Sequence, residues 1–321
     1  MSTTSKIKLK RKLQRGDDKI IGILCSDLHL SEKPPIARIG EKDWYAVMAN
    51  YLSDINNLGK VYSAPILCAG DIFDKWKVSP ELITFAINHL PNMYAIPGQH
   101  DLPLHSLDLI KKSAYYTLMV TGNIKNVIPG VPVAIPNSDI VVHGFPWLHR
   151  IDKLKVSDNK HHIAICHDYF WVGEHKYTTA SEEHHASKYE EYIQGYHAVA
   201  FGDNHCGFRT KVNNIPVANC GAMMRRTVAQ VDYRPRVYLI TKKQNLIPHF
   251  FNITNDILDA PTANELDNKI KKIDLKSVIF GLESLQTKQI EYIEILETVL
   301  QANTVSMEVR KLVLESVQET K

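Results

Sequence analysis

Five times along this chain a short apolar run stops at a small residue or a turn and then delivers a side chain able to bind metal. Residues 20–26 lead to Asp27 and His29, residues 66–69 and Gly70 to Asp71, and residues 93–96 with Pro97-Gly98 to Gln99 and His100. Residues 162–166 lead to His167, and residues 197–201 with Gly202 to Asp203 and His205. Runs this short and this rich in Ile, Val and Ala suit strands buried on both faces. In an open α/β sheet the carboxyl edge of such strands is where ligands collect. One Gly-Asp alone means little, because Asp favours turns for local reasons. A His after a strand is more often a hydrogen-bonded structural group than a ligand. Five at one edge demand a fold that brings them together.

Between the first runs the spacing predicts helices. Trp44, Val47, Met48, Tyr51, Leu52, Ile55 and Leu58 share one helical face over residues 43–58, with Gly59 as a C-terminal stop. Ser79-Pro80 reads as an N-cap with proline in the first turn of a helix reaching about residue 90. Residues 106–118 are helical by pattern. Residues 123–137 are rich in Pro, Gly and Asn and predict short irregular strands. Residues 139–143 read as a strand, and residues 171–195 as a loop with an exposed helix. After residue 205, runs at 215–218, 236–241 and 246–252 follow one another without helices, which predicts a second, more antiparallel sheet. Beyond residue 256 glycine nearly vanishes and Leu, Ile, Glu and Lys dominate. Three parts result: a basic flexible tail at 1–18, an α/β domain at 19–252, and a helical C-terminal segment at 253–321. The fold class is α/β, a two-sheet sandwich with flanking helices.

At 321 residues the chain can bury a large core without help from metals or disulfides. Its net charge of +3 is too small to imply a nucleic-acid partner by itself. Five cysteines without paired spacing argue against a disulfide framework, and Cys25, Cys68 and Cys166 sit in strand-like runs where free thiols are buried. No apolar stretch approaches the ~20 residues of a membrane span. The basic N-terminus has no apolar region behind it, so a reducing cytoplasm is the expected setting, without a membrane partner.

Carboxylates mixed with neutral imidazoles suit Mn2+, Fe2+ or Zn2+ better than an all-oxygen Mg2+ or Ca2+ cage. Asp-x-His, then Gly-Asp, then Gly-Gln-His-Asp, then a lone His, then Gly-Asp-x-His resembles, over residues 20–252, the block signature of calcineurin-like metallophosphoesterases. The loop Gly70-Asp71-Ile72-Phe73-Asp74 and the stretch Asn219-Cys220-Gly221-Ala222-Met223-Met224-Arg225 resemble the DNA-repair exonuclease branch, the SbcD-type nuclease subunits and their virus-encoded relatives.

That resemblance implies a sandwich of metallophosphoesterase type around two divalent ions, with Mn2+ expected and Mg2+, Fe2+ or Zn2+ as alternatives. Asp27, His29, Asp71 and His205 would hold the first ion. Asp71, Gln99, His167 and Asp203 would hold the second, and Asp71 would bridge, its negative charge offsetting the repulsion of two cations ~3.5–4 Å apart. A hydroxide between the ions would attack phosphorus in line. His100 would stabilise the developing charge or protonate the leaving oxygen, and Asp74 would orient His100. Gln99 stands where the family has Asn, and Asp203 where it has the first His. Both keep an oxygen donor, which makes the second position harder and tilts it toward Mn2+ or Mg2+.

The implied activity is hydrolysis of DNA phosphodiester bonds by an exonuclease with some endonuclease activity. The rival readings are a phosphatase or cyclic-nucleotide phosphodiesterase, and a catalytically silent DNA-binding or scaffold subunit. DNA is the implied partner; an SbcC/Rad-type coiled-coil ATPase subunit, docked by the C-terminal helices, and a homodimer are the protein partners the resemblance allows. Arg225 and Arg226, in a basic stretch that includes Arg209, Arg234 and Arg236, are candidate phosphate contacts. Trp76 and Trp147 are candidate base-stacking residues, with core packing the favoured reading. His143 reads as a supporting or core residue rather than a ligand.

Overall fold

A computed structural model describes residues 19–155, 158–175 and 180–258. The expected basic tail, and the expected helical segment from residue 259 on, lie outside the described residues. Two six-stranded sheets form the domain. The first contains β1 (Ile20–Cys25), β2 (Ile66–Cys68), β3 (Met93–Ala95), β4 (Ile124–Asn126), β11 (Arg236–Thr241) and β12 (Leu246–Phe250), in the order β12-β11-β1-β2-β3-β4. The second contains β5 (Val133–Ala134), β6 (Ile140–Phe145), β7 (His161–Cys166), β8 (Ala198–Phe201), β9 (Phe208–Val212) and β10 (Ile215–Asn219), in the order β5-β6-β7-β8-β10-β9. The strands that deliver the candidate ligands run parallel: β1, β2 and β3 in one sheet, β7 and β8 in the other.

Alternation along each strand explains why the runs read as continuously apolar. Ile23 faces a helix-covered layer while Leu24 faces the interior between the sheets, and both are fully buried. Each such side chain contributes roughly 1.5–3 kcal/mol by leaving water. Three helices cover the first sheet: α1 (Trp44–Tyr62), α2 (Pro80–His89) and α3 (Ala114–Val120). The Asp43 carboxylate caps α1 by accepting from the Ala46 N–H at 2.9 Å, and the Ser79 hydroxyl caps α2 by accepting from Leu82 at 3.2 Å.

Several local expectations are corrected. α1 runs through Gly59 to Tyr62 and stops at Ser63, whose left-handed backbone (φ 49°) donates to the Gly59 carbonyl. Gly59 matters for space instead, because a Cβ there would meet Ile66 at 3.2 Å. The helix expected at 106–118 breaks at Ser113, whose hydroxyl accepts from the Tyr116 N–H and starts α3 afresh after a 3-10 turn. The strands after residue 205 do not form their own sheet. β10 joins β8, whereas β11 pairs antiparallel with β1 and β12 with β11. The burial pattern dictates this split: Val237 and Leu239 match the helix-covered layer of β1, and Tyr238 and Ile240 match the inter-sheet core. Among the described residues of 171–195 only short 3-10 turns appear. Tyr189, Ile193 and nearby Tyr196 are buried there, covering the second sheet's outer face, so no exposed helix forms.

Candidate metal centre

The loops that leave β1 and β2 are zipped together. Asp27, His29 and Leu30 donate their N–H groups to the carbonyls of Gly70, Asp71 and Ile72 at 2.9–3.0 Å, and Asp74 returns a bond to Leu30. This pairing holds Asp27 (φ 49°), His29 (φ 45°) and Asp71 (φ 53°) in left-handed backbone, as is Asp203 (φ 74°) after β8. Non-glycine residues there are uncommon, and each such position costs roughly 1–3 kcal/mol. Four strained residues where the strand ends of two sheets face each other, rather than along the single edge expected, are the first structural sign of a functional site. Gly98 is required by crowding, since a Cβ would overlap the Asp71 carboxylate and the His167 imidazole.

The seven expected ligands converge. His29 Nε2 lies 3.0 Å from His205 Nε2, 4.0 Å from Asp27 Oδ1 and 3.7 Å from Asp71 Oδ2. Asp27 Oδ1 lies 3.8 Å from His205 Nε2. On the other side of Asp71, its Oδ2 lies 3.4 Å from His167 Nε2. His167 Nε2 also meets Gln99 Oε1 at 2.6 Å, and Gln99 Nε2 donates to Asp203 Oδ1 at 2.5 Å. Main-chain bonds fix the carboxylates: Asp71 Oδ1 accepts from the His100 N–H at 3.0 Å, and Asp27 Oδ1 from the Asp203 N–H at 3.1 Å.

Burial sets the charge states. Asp27 is pushed upward by burial, against the pull of His205 and His167. Burial acts the same way on Asp71, yet the His167 imidazole, itself raised well above its ordinary range by Asp71, prevails and holds the carboxyl below the usual carboxylate range. His29 and His205 are driven down by burial, which keeps them neutral and their lone pairs available.

These residues fit divalent ions. Asp71 Oδ2 is buried without a hydrogen-bond donor, although imidazole nitrogens of His29 and His167 lie within 3.7 Å of it. His167 Nδ1 donates to the Ala69 carbonyl at 2.6 Å, which directs Nε2 inward, the usual outer support of a metal-bound imidazole. Ligand atoms of Asp27, His29 and His205 lie within 4.8 Å of one another, and so do those of Asp27, Asp71 and His167. The clustered carboxylates, amide and imidazoles are a donor set for divalent transition metals.

Three expectations change in detail. The Asp74 carboxylate serves His29, its Oδ1 lying 3.4 Å from His29 Nδ1, and it also accepts from Arg226. His100 Nδ1 meets the main-chain carbonyl of Asp74 at 2.8 Å, so Asp74 touches His100 through its backbone rather than its side chain. The physical reason is the turn at Phe73-Asp74, which aims the side chain back at β1. Arg225 is buried and bonds Asp256 at 3.2 Å and the Val231 carbonyl at 3.2 Å; it serves the fold, and only Arg226 reaches the site. Arg209 bonds the Leu246 carbonyl, and Arg234 and Arg236 lie over Phe250. His143 pairs with His162 at 2.9 Å, away from the ligands. Trp147 is half-buried with its ring 6.4 Å from that of His167, and Trp76 is exposed.

One residue had no role in the sequence reading. Asp101 is completely buried and accepts from the N–H groups of Ile72, Phe73 and Gly98 at 3.0–3.1 Å, tying the Asp71 loop to the Gln99 loop. Burial, with Asp71 nearby, pushes its carboxyl up to about 7. Its signal was available: an Asp that follows Gln-His directly, where a carboxylate can gather loop N–H groups.

The model of the family described as calcineurin-like phosphoesterases matches residues 23–207, more than half of the chain and a span that includes all seven candidate ligands. No curated protein matches the sequence. Among solved structures, the chain is similar to an archaeal phosphodiesterase at 14% identity, covering 72% of this chain and 99% of that one with a TM-score of 0.36. It is also similar to the calcineurin-like phosphoesterase YfkN from Bacillus subtilis, at 11% identity over 81% and 97% of the two chains with a TM-score of 0.43. A metallophosphoesterase from Sphaerobacter thermophilus is similar at 12% identity over 74% and 90%, with a TM-score of 0.35. No helix among the described residues is long and apolar enough to cross a membrane. With its ligand blocks gathered at the edges of two facing sheets and the family's model spanning them, this chain belongs to the calcineurin-like phosphoesterases and is a metal-dependent phosphoesterase.

Proposed function

We propose that the chain is a dinuclear, Mn2+-dependent phosphodiesterase that cleaves DNA as an exonuclease and endonuclease, of the SbcD-type branch. The observation that carries the two-ion reading is the Asp71 carboxylate, buried, lacking a donor on Oδ2, and flanked by His29, Asp27 and His205 on one side and by His167, Gln99 and Asp203 on the other. Asp27, His29, Asp71 and His205 would hold one ion; Asp71, Gln99, His167 and Asp203 would hold the other. Bound divalent ions supply positive charge to the phosphoryl oxygens and lower the pKa of water.

The chain's own residues do the rest. The Asp74 carboxylate lies 3.4 Å from His29 Nδ1 without a formed hydrogen bond, and the Ala69 carbonyl fixes His167. His100, half-buried with its ring 5.0 Å from that of His29, donates its Nδ1–H in a hydrogen bond to the Asp74 carbonyl, which leaves Nε2 to exchange a proton with the leaving oxygen. Arg226, already drawn to Asp74, is the nearest cation for a non-bridging phosphate oxygen. Support for a nucleic-acid substrate comes from the exposed Lys75-Trp76-Lys77 directly after Asp74, cations interleaved with a stacking ring. Mn2+ is favoured by the oxygen-rich Gln99 and Asp203 pair. In this reading a coiled-coil ATPase subunit is the protein partner.

The test is cleavage of end-labelled duplex and single-stranded DNA, a cyclic nucleotide and a chromogenic monoester by chelator-stripped protein resupplied with Mn2+. Release of nucleotides from DNA ends is the expected result. Turnover of the monoester alone overturns the nuclease reading, and absence of both bound ion and cleavage favours a scaffold subunit.

A further inference from the structure

Two leucines beside the metal centre stand out of the protein. Leu104 is 84% exposed and Leu148 is 77% exposed, and both have left-handed backbone, φ 50° and 68°. Bulky side chains are rare in that region, and an exposed leucine gains nothing from burial to offset the strain. His105, next to Leu104, is left-handed too, at φ 56°. The two segments meet, because the rings of His105 and Trp147 lie 6.4 Å apart, which puts Leu104 and Leu148 one residue beyond each partner of that contact. Both segments are anchored to the ligand loops. His105 Nδ1 meets the Gln99 carbonyl at 3.2 Å, the Trp147 N–H donates to the Pro97 carbonyl at 3.4 Å, and the Trp147 ring lies 6.4 Å from the His167 ring. His105 and Trp147 thus stand together on the His167 side of the centre, with the exposed Leu104 and Leu148 as their immediate chain neighbours.

Building on the reading of DNA as substrate, we infer that these four residues act as a rim that receives an unstacked nucleobase next to the scissile phosphate. The observation that selects this occupant is continuity with the candidate centre: His105 is bonded to the Gln99 carbonyl, and Trp147 is bonded to the Pro97 carbonyl with its ring 6.4 Å from that of His167. The rim offers flat aromatic surface and leucine wedges without a charged side chain, which suits any base and favours none by hydrogen bonding. Leu104 and Leu148 act as positioning residues, parting a base from its neighbour so that the backbone turns into the metal centre.

The test is a Leu104→Gly/Leu148→Gly double variant assayed on a single-stranded oligonucleotide and on the same strand with an abasic site at the cleaved position. Glycine relieves left-handed strain, so the melting temperature should stay level or rise. The preference for the base-bearing strand, as a ratio of kcat/KM, should fall roughly tenfold, the scale of one leucine's apolar contact. The loss should appear in KM more than in kcat. Binding of a 2-aminopurine strand in chelator should lose its fluorescence quenching. An unchanged ratio with intact wild-type cleavage overturns the rim alone. Equal losses on both strands show a backbone role and overturn it as well. Wild-type protein that cleaves neither strand overturns the substrate reading, and the rim with it.

Discussion

Gln99 donates its side-chain amide to Asp203 over 2.5 Å, so the two positions where the chain departs from the family's usual blocks are bonded to each other. One longer side chain reaches across to one carboxylate that replaces a ring. Asp203→His removes an anionic oxygen and supplies a nitrogen, and it takes away the acceptor of the Gln99 amide. Affinity for Zn2+ relative to Mn2+ should rise on the order of tenfold or more. Isothermal titration with each metal measures the ratio; an unchanged ratio removes Asp203 from the ligand set.

Asp71→Asn keeps the shape of the shared carboxylate and removes its charge. Metal content should drop and cleavage should disappear, while the bond that Oδ1 accepts from the His100 N–H is kept. His100→Ala, by contrast, should lose turnover by roughly 10²–10⁴-fold and keep its metal. Elemental analysis beside steady-state kinetics separates the two. Loss of metal from the His100 variant would end the proton-transfer role proposed for it.

Asp256 ties the end of the described chain to the domain. Its Oδ2 accepts from Arg38 at 3.1 Å, Arg225 at 3.2 Å and Tyr51 at 2.8 Å, and Arg38 is completely buried. Asp256→Ala strands those cations, of which only Arg38 keeps a second carboxylate, Glu41. Stability should fall by about 3 kcal/mol. Urea denaturation provides the measurement, and a change below about 0.5 kcal/mol would show that the network is replaced by water.

His197 lies far from the metal centre, under the second sheet's amino end, where Nε2 donates to the Thr241 carbonyl at 3.0 Å. Burial lowers its pKa to about 4, the Thr241 bond opposing and His161 adding to the shift. The unfolded chain therefore takes up a proton near pH 6.5 that the folded protein refuses. Stability from this group is full above that pH and drains away as pH falls toward 4. A plot of melting temperature against pH should be shallower for His197→Gln than for the native protein across that window. Parallel plots would assign the acid sensitivity to other groups.

The strands were legible because each candidate ligand follows a short apolar run that suits a buried strand, but the single edge expected for them is in fact the facing ends of two sheets. Asp27, Asp71, His167 and Asp203 mean little individually; the repetition of one pattern five times is what could be read. What escaped the sequence depended on direction rather than identity. Nothing in Phe73-Asp74 says that the carboxylate turns back to His29 while the carbonyl turns to His100. Arg225 and Arg226 are adjacent and alike, yet one is spent on Asp256 and the other on Asp74. β11 was misassigned to the second sheet because its apolar alternation suits either layer, and only its pairing with β1 decides. Segment 171–195 looked exposed because its charges outnumber Trp171, Ala186, Tyr189 and Ile193, the apolar side chains it buries among the described residues.

The candidate ligands are divided between the layers: Asp27, His29, Asp71 and Gln99 hang from one sheet, His167, Asp203 and His205 from the other. A cation seated among them acts as a rivet through the sandwich. Prying the two halves apart would have to tear it out, so the loaded protein should resist proteolysis and pulling forces that the stripped one yields to.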